Sequence, residues 1–144
     1  MDEARYREAE QTLWASIGAG LRLRVQEIGD GPPILFIHGA NTSGASWATL
    51  AAKLPAFRCL LLDRPGTGLS EAFPVRPTTA QLMALGDGLV ADILDGAGIA
   101  SAQVVATSLG GFLALRSAAA HPDRIIRMVQ REDSNRPYFT VSRS

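Results

Sequence analysis

Ser108 closes a short apolar run, Val104, Val105, Ala106 and Thr107, and is followed by Leu109, Gly110 and Gly111 before Phe112, Leu113, Ala114 and Leu115 resume the apolar pattern. That order describes a strand turning sharply into a helix, with the serine at the apex. A serine held in so tight a turn needs small neighbours, and Ala106 two before it and Gly110 two after it meet that need. Its hydroxyl then projects at a helix N-terminus. There the backbone N–H of Leu109 has no intrahelical partner and can face the oxyanion formed when the hydroxyl attacks a carbonyl. Two readings are open at this point: Ser108 is a nucleophile, or it caps the helix that begins at Leu109.

A serine hydroxyl is a weak nucleophile at neutral pH and needs a base oriented by an acid. The chain has two histidines, His38 and His121. His121 follows Ser108 by 13 residues, which along a helix is roughly 20 Å, too far to take its proton. His38 begins the stretch His38, Gly39, Ala40, Asn41, and Trp47 lies a little further on. The acids after Ser108 are Asp123, Glu132 and Asp133.

These residues need a scaffold, and the pattern supplies one. Pro33, Ile34, Leu35, Phe36 and Ile37 run without alternation, as a strand buried on both faces of a parallel sheet must. Residues 57–62 and 103–107 read the same way, and 124–129 as a fourth such strand. Leu21, Leu23 and Val25 alternate with Arg22, Arg24 and Gln26, a half-exposed strand. Helices are predicted over 47–54, 79–97 and 109–120. Tyr6, Ala9, Leu13, Trp14 and Ile17 have helical spacing, so residues 1–20 are predicted to hold an amphipathic helix stopped by Gly18 and Gly20. Residues 130–144 show no period that would continue the fold and are expected to form an irregular tail. Strands alternating with helices imply a three-layer α/β/α sandwich with a mostly parallel sheet, whose ligands sit at the C-terminal ends of the strands. The loops bearing His38, Asp63 and Ser108 all fall there.

Four features together resemble the α/β-hydrolase family. The first is Ala106, Thr107, Ser108, Leu109, Gly110, similar to the family's G-x-S-x-G nucleophile elbow with alanine for the first glycine. The second is His38, Gly39, Ala40, Asn41 with Trp47, similar to the HG…W loop that follows the family's third strand. The third is Asp63, Arg64, Pro65, Gly66, Thr67, Gly68, Leu69, Ser70, similar to a D-x-x-G-x-G-x-S loop with a structural role. The fourth is Ala120, His121, Pro122, Asp123, Arg124, similar to the segment ending the nucleophile helix. The resemblance implies a serine hydrolase, of esterase or C–C bond hydrolase type, that forms an acyl-enzyme on Ser108. Ala40 and Leu109 would donate to the oxyanion, and Asn41 would touch substrate. His38 would hold its loop. Asp133 is read either as a triad acid or as a solvated tail residue.

The family's order is serine, acid, histidine, and its later strands, lid and histidine loop have no counterpart here. Residues 21–129 therefore resemble the N-terminal half of such a domain. The alternative is a catalytically incompetent truncated fragment lacking the triad acid and histidine. On either reading the strand over 124–129 is expected to be an exposed sheet edge, a surface for association.

The bulk numbers bound the rest. The 144 residues are one domain's worth, with 47% hydrophobic and 19% charged residues and zero net charge, so nothing suggests a nucleic-acid or membrane partner. Every basic residue but Lys53 is arginine. A single cysteine, Cys59, in an apolar strand excludes an intrachain disulfide and reads as a small core residue. With no apolar leader in the sequence, a cytoplasmic location is expected. The expected partner is a small, fairly apolar ester or ketone-type substrate, and no cofactor or metal is implied.

Overall fold

The computed structural model describes residues 11–40, 42–131 and 139–142. Seven strands form one sheet: β1 (Gln11–Ser16), β2 (Arg22–Ile28), β3 (Pro33–Ile37), β4 (Arg58–Leu62), β5 (Ala102–Thr107), β6 (Ile125–Arg131) and β7 (Phe139–Ser142). Their order is β1-β2-β4-β3-β5-β6-β7. β4, β3, β5 and β6 are parallel neighbours, and β2 and β7 run against them at the two sides. The mostly parallel sheet expected from the sequence is therefore present.

Helices cover both faces. α1 (Ala48–Ala52), preceded by a 3-10 turn at Gly44–Trp47, lies on one; α2 (Thr79–Ala97) and α3 (Leu109–Ala120) lie on the other. Alternate residues of each central strand feed the two cores. Leu35, Ile37, Leu60 and Leu62 pack with Leu89, Ile93 and Leu113, while Ile34, Phe36, Cys59 and Leu61 pack with Trp47 and Ala51. This is why β3 and β4 carry no polar face. Each fully buried leucine or isoleucine contributes about 1.5–3 kcal/mol relative to exposure. Phe36 and Trp47 meet with ring centroids 5.3 Å apart. Cys59 sits inside this second core, where burial pushes its thiol up to about 11 and leaves it inert.

α2 has the boundaries its sequence announces. Thr78 Oγ1 accepts from Gln81 N–H at 3.1 Å, and the Gln81 side-chain oxygen accepts from Thr78 N–H at 2.8 Å, a reciprocal cap. At the other end Gly98 takes the left-handed conformation, φ 70°. α3 packs closely on α2 because Gly86 offers no side chain to Arg116, and buried Ser117 donates its hydroxyl to the Gly86 carbonyl. Among the described residues no helix is long and apolar enough to cross a membrane.

Three expectations are overturned. The predicted helix over residues 1–20 gives way to a strand in its described part: β1 pairs antiparallel with β2 from Gln11↔Glu27 to Ser16↔Arg22. Leu13, Ala15 and Ile17 point to the core at alternate positions, and exposed Trp14 lies under the Arg22 guanidinium, 4.8 Å from its ring centre. Gly18 and Gly20, read as a helix stop, belong to the hairpin turn, where Ile17 N–H donates to the Leu21 carbonyl at 3.0 Å and Gly20 has φ 83°. Residues 1–10 of that prediction lie outside the described residues.

The tail is also not wholly irregular. β6 extends to Arg131, and β7 pairs with it antiparallel, Met128 opposite Val141. β6 thus has a neighbour on each side, so the exposed edge expected at 124–129, and the association expected through it, lose their structural basis.

Candidate active site

The C-terminal ends of β3, β4, β5 and β6 deliver His38, Asp63, Ser108 and Arg131 to one side of the sheet. Ser108 adopts φ 54° and ψ −122°, the only positive φ of a non-glycine among the described residues. A conformation of this kind costs of the order of 1–3 kcal/mol and persists only where its surroundings hold it. The side chain makes no capping hydrogen bond to α3 and is exposed. Ser108 thus occupies the N-cap position of α3 without the side-chain hydrogen bond that makes serine a good cap, and its hydroxyl is exposed.

Close approach explains the small residues around it. A Cβ on Gly110 would lie 2.5 Å from the Ile37 carbonyl oxygen and 2.6 Å from that of His38, so α3 can start against the end of β3 only with glycine there. A Cβ on Gly39 would lie 3.1 Å from Ser108 Cβ. The loop after β3 is thus pressed against the serine.

That loop is pinned from behind. The Gly39 carbonyl accepts from His38 Nδ1–H at 2.8 Å, from Arg64 Nη2 at 2.8 Å and from the Thr42 hydroxyl at 3.1 Å. Arg64 Nε donates to the His38 carbonyl at 2.9 Å. A trans peptide sets its N–H opposite its C=O. The Gly39 carbonyl is directed into the buried His38–Arg64 cluster, so the Ala40 N–H faces away from that cluster; Gly39, Ala40, Thr107 and Ser108 line one cavity. The N–H of Leu109, first residue of α3, is one of the unpaired donors of a helix start beside the same serine. Two backbone donors beside one hydroxyl are what a tetrahedral oxyanion requires. Asn41, expected to touch substrate, lies outside the described residues.

His38 is fully buried, and both its ring nitrogens are engaged. Nε2 accepts from Arg64 N–H at 3.1 Å, with Thr67 Oγ1 3.0 Å away, so the ring proton belongs on Nδ1 and goes to Gly39. Burial lowers its pKa below 6.5; the Gly39 hydrogen bond opposes this, the Arg64 charge adds to it and the Asp63 charge opposes it. A neutral, doubly bonded imidazole holds the loop, as the sequence implied. Asp63, 3% exposed, joins three segments: it accepts from Gly44 N–H at 2.8 Å and Leu69 N–H at 3.1 Å, and its carbonyl accepts from the Ser70 hydroxyl. Arg64 is the residue that sequence reasoning left without a role of its own. Its burial depresses its pKa, and nothing in a D-x-x-G-x-G-x-S pattern marks the arginine as internal.

His121 stands at the far end of α3 from Ser108. Asp133 and Glu132 lie outside the described residues. The cavity at Ser108 has a volume of about 550 Å³ and is walled in part by Trp47, Leu50, Lys53 and Arg131, residues that the sequence did not bring together. A second cavity, about 490 Å³, lies where Leu109 and Leu113 face Phe73 and Leu82.

A family model described as alpha/beta hydrolase fold matches residues 32–133. Over 106 residues the chain is 37% identical to a pimeloyl-[acyl-carrier protein] methyl ester esterase of Chromobacterium violaceum, covering 73% of this chain and 38% of that protein. Over 118 residues it is 33% identical to a 2-hydroxymuconate semialdehyde hydrolase of a Pseudomonas species, covering 78% and 40%. Among solved structures, an epoxide hydrolase from Vigna radiata superposes with a TM-score of 0.74 at 25% identity, covering 85% of this chain and 38% of that one. The chain thus spans about 40% of the length of the curated relatives it matches. On the strength of the family match, which takes in all three site loops, the chain belongs to the alpha/beta hydrolase family.

Proposed function

We propose that this chain carries the nucleophile and oxyanion-binding part of a serine hydrolase acting on a small ester or ketone-type substrate. Ser108 Oγ attacks the substrate carbonyl carbon, its proton passes to a base, and the oxyanion is met by the N–H groups of Ala40 and Leu109. Collapse expels the alcohol of an ester, or the carbon leaving group of a ketone after its protonation, and water then hydrolyses the acyl-enzyme. Asn41 is assigned a polar contact to substrate from the sequence alone. The observation that carries the reading is the strained, uncapped, exposed serine at the start of α3. The names of the esterase and semialdehyde hydrolase relatives support it.

A second reading concerns activity. His38 is held by Arg64 and Gly39, and His121 is at the wrong end of α3, so neither histidine of this sequence is placed to act as base. On this ground the isolated chain is proposed to turn over little, the base being supplied by polypeptide other than these residues.

Both readings meet one experiment: fluorophosphonate labelling of the purified chain, folded by circular dichroism, with peptide mass spectrometry and Ser108→Ala as control. The expected result is slow labelling confined to Ser108 that speeds up on adding free imidazole as a surrogate base. Absence of labelling even with imidazole would sink the nucleophile assignment. Rapid, stoichiometric labelling indifferent to imidazole would instead mean that the chain holds its own base.

A further inference from the structure

A third cavity, about 390 Å³, shares no described lining residue with the one at Ser108. Gln81, Ala84, Leu85, Gly88 and Asp92 line it at intervals of three, four, seven and eleven residues, a single stripe of α2. Ile17, Gly18 and Ala19 of the β1–β2 turn complete it, and Phe73 adds an aromatic wall. Asp92 is the sole ionisable group among its described lining residues.

Asp92 differs from the other two aspartates of α2. Asp87 is paired with Arg116 at 2.8 Å and Asp95 with Arg124 at 2.8 Å, whereas among the described residues no cation forms an ion pair with Asp92. Its Oδ2 accepts from Gly18 N–H at 2.8 Å. A carboxylate offers about four acceptor sites. One bond from a neutral donor therefore leaves most of that capacity unused and the charge without a counter-ion.

Gly88 keeps the space beside it open. At Gly86 a Cβ would lie 3.1 Å from Arg116 Cβ, so the contact between α2 and α3 demands glycine there. At Gly88 a Cβ would meet only the Asp92 carboxylate, 3.4 Å from Oδ2, which is ordinary contact. Alanine would fit and would be the better helix former. Glycine is thus imposed by no described neighbour, and its effect is an open floor between Asp92 and Leu85.

We infer that this cavity is a binding site for a small organic cation, a primary ammonium carried on a short apolar or aromatic body. The ammonium meets the Asp92 carboxylate, and the body lies over Gly88 towards Leu85 and Phe73. Seven residues of helix separate Asp92 from Leu85, roughly 10 Å, comparable to a phenylalkylamine. A lone carboxylate is too few ligands for a divalent metal ion, and among the described residues no cluster of His, Cys, Asp or Glu could hold one. The site lies apart from Ser108, so the inference does not depend on the serine-hydrolase reading.

The test reads binding. The 144-residue chain, labelled with 15N, is titrated at neutral pH with 2-phenylethylamine, which is protonated, and with 2-phenylethanol, its neutral counterpart, following the Gly18 and Gly88 amide resonances. The ammonium is expected to bind about tenfold more tightly than the alcohol, with the preference shrinking at high salt. Asp92→Asn keeps an oxygen for the Gly18 N–H but removes the charge, and is expected to abolish the preference while leaving the alcohol unchanged. Gly88→Leu fills the cavity with a good helix former and is expected to weaken both probes severalfold. The folded spectrum of each variant is its own control. Equal affinity for amine and alcohol, or a preference that survives Asp92→Asn, overturns the inference and leaves Asp92 as a tether of the β1–β2 turn alone. So does binding that Gly88→Leu does not weaken, which would put the amine elsewhere. A titration in which neither Gly18 nor Gly88 shifts overturns it too.

Discussion

Arg64 donates from Nη2 to the Gly39 carbonyl at 2.8 Å, and with His38 Nδ1–H and the Thr42 hydroxyl this buried guanidinium fixes which way the Gly39–Ala40 peptide faces. Arg64→Met removes the charged donor from the carbonyls of both His38 and Gly39 and is expected to cost roughly 2–3 kcal/mol in urea unfolding. It is also expected to slow fluorophosphonate labelling of Ser108, since the Gly39–Ala40 peptide is then held only by His38 and Thr42 and is less firmly oriented. Arg64→Lys should rescue neither fully, because an ammonium lacks the fork that spans two carbonyls. Unchanged labelling in a destabilised Arg64→Met would separate Arg64 from the site.

Ser108→Gly should make the protein more stable. Glycine occupies φ 54° without the steric cost that serine bears, and no capping hydrogen bond is lost. A gain of about 1 kcal/mol over Ser108→Ala, which keeps the strain, is expected from chemical denaturation. Equal stability of the two variants would mean that the turn is not strained.

Gly110 and Gly111 adjoin one another yet should respond differently to alanine. At Gly110 the new Cβ meets the backbone oxygens of Ile37 and His38, which cannot move without shifting β3, and a loss of roughly 2 kcal/mol or more is expected. At Gly111 the nearest atom is the side-chain oxygen of Gln130, 2.7 Å away, at the end of a side chain able to rotate. The Gly111→Ala loss should be smaller, apart from the bond that Gln130 makes to the Gly111 carbonyl. Melting temperatures of the two variants compared side by side decide it.

His38 gives the protein a pH dependence with a definite sign. Its folded pKa lies below 6.5, so above that pH both folded and unfolded chains carry a neutral ring and its full contribution is present. As pH falls below 6.5 the unfolded chain takes up a proton first, and stability is lost until the folded pKa has also been passed. Urea midpoints should drop across that window, and His38→Gln should drop less. An NMR titration in which His38 turns over above 6.5 would contradict the neutral ring.

The parts legible in the sequence were those where one physical demand fixes residue type. Central strands buried on both faces have no choice but unbroken apolar runs, so β3 and β4 could be read nearly to the residue. The elbow was legible because backbone contact with Ile37 forces glycine at 110. β1 was misread because Leu13 and Ile17 satisfy helical and strand periods alike, and what separates them, pairing with β2, is not local. β7 is four residues long and owes its existence to β6. Arg64 escaped for a different reason. An internal arginine looks like any surface one until its carbonyl partners are in place.

β3 lies between β4 and β5, both of which are made after it. During synthesis the strand that carries the His38–Gly39 loop therefore emerges with no lateral partner on either side, and the β1–β2 hairpin joins the parallel strands only through β4. The sheet must be completed from its later half inward. Because Ser108 follows directly on β5, the strand that closes β3 in, Ser108 and the His38–Gly39 loop can be brought together only once β5 has paired. A nascent chain released before β5 would leave the hydrocarbon centre of the sheet bare.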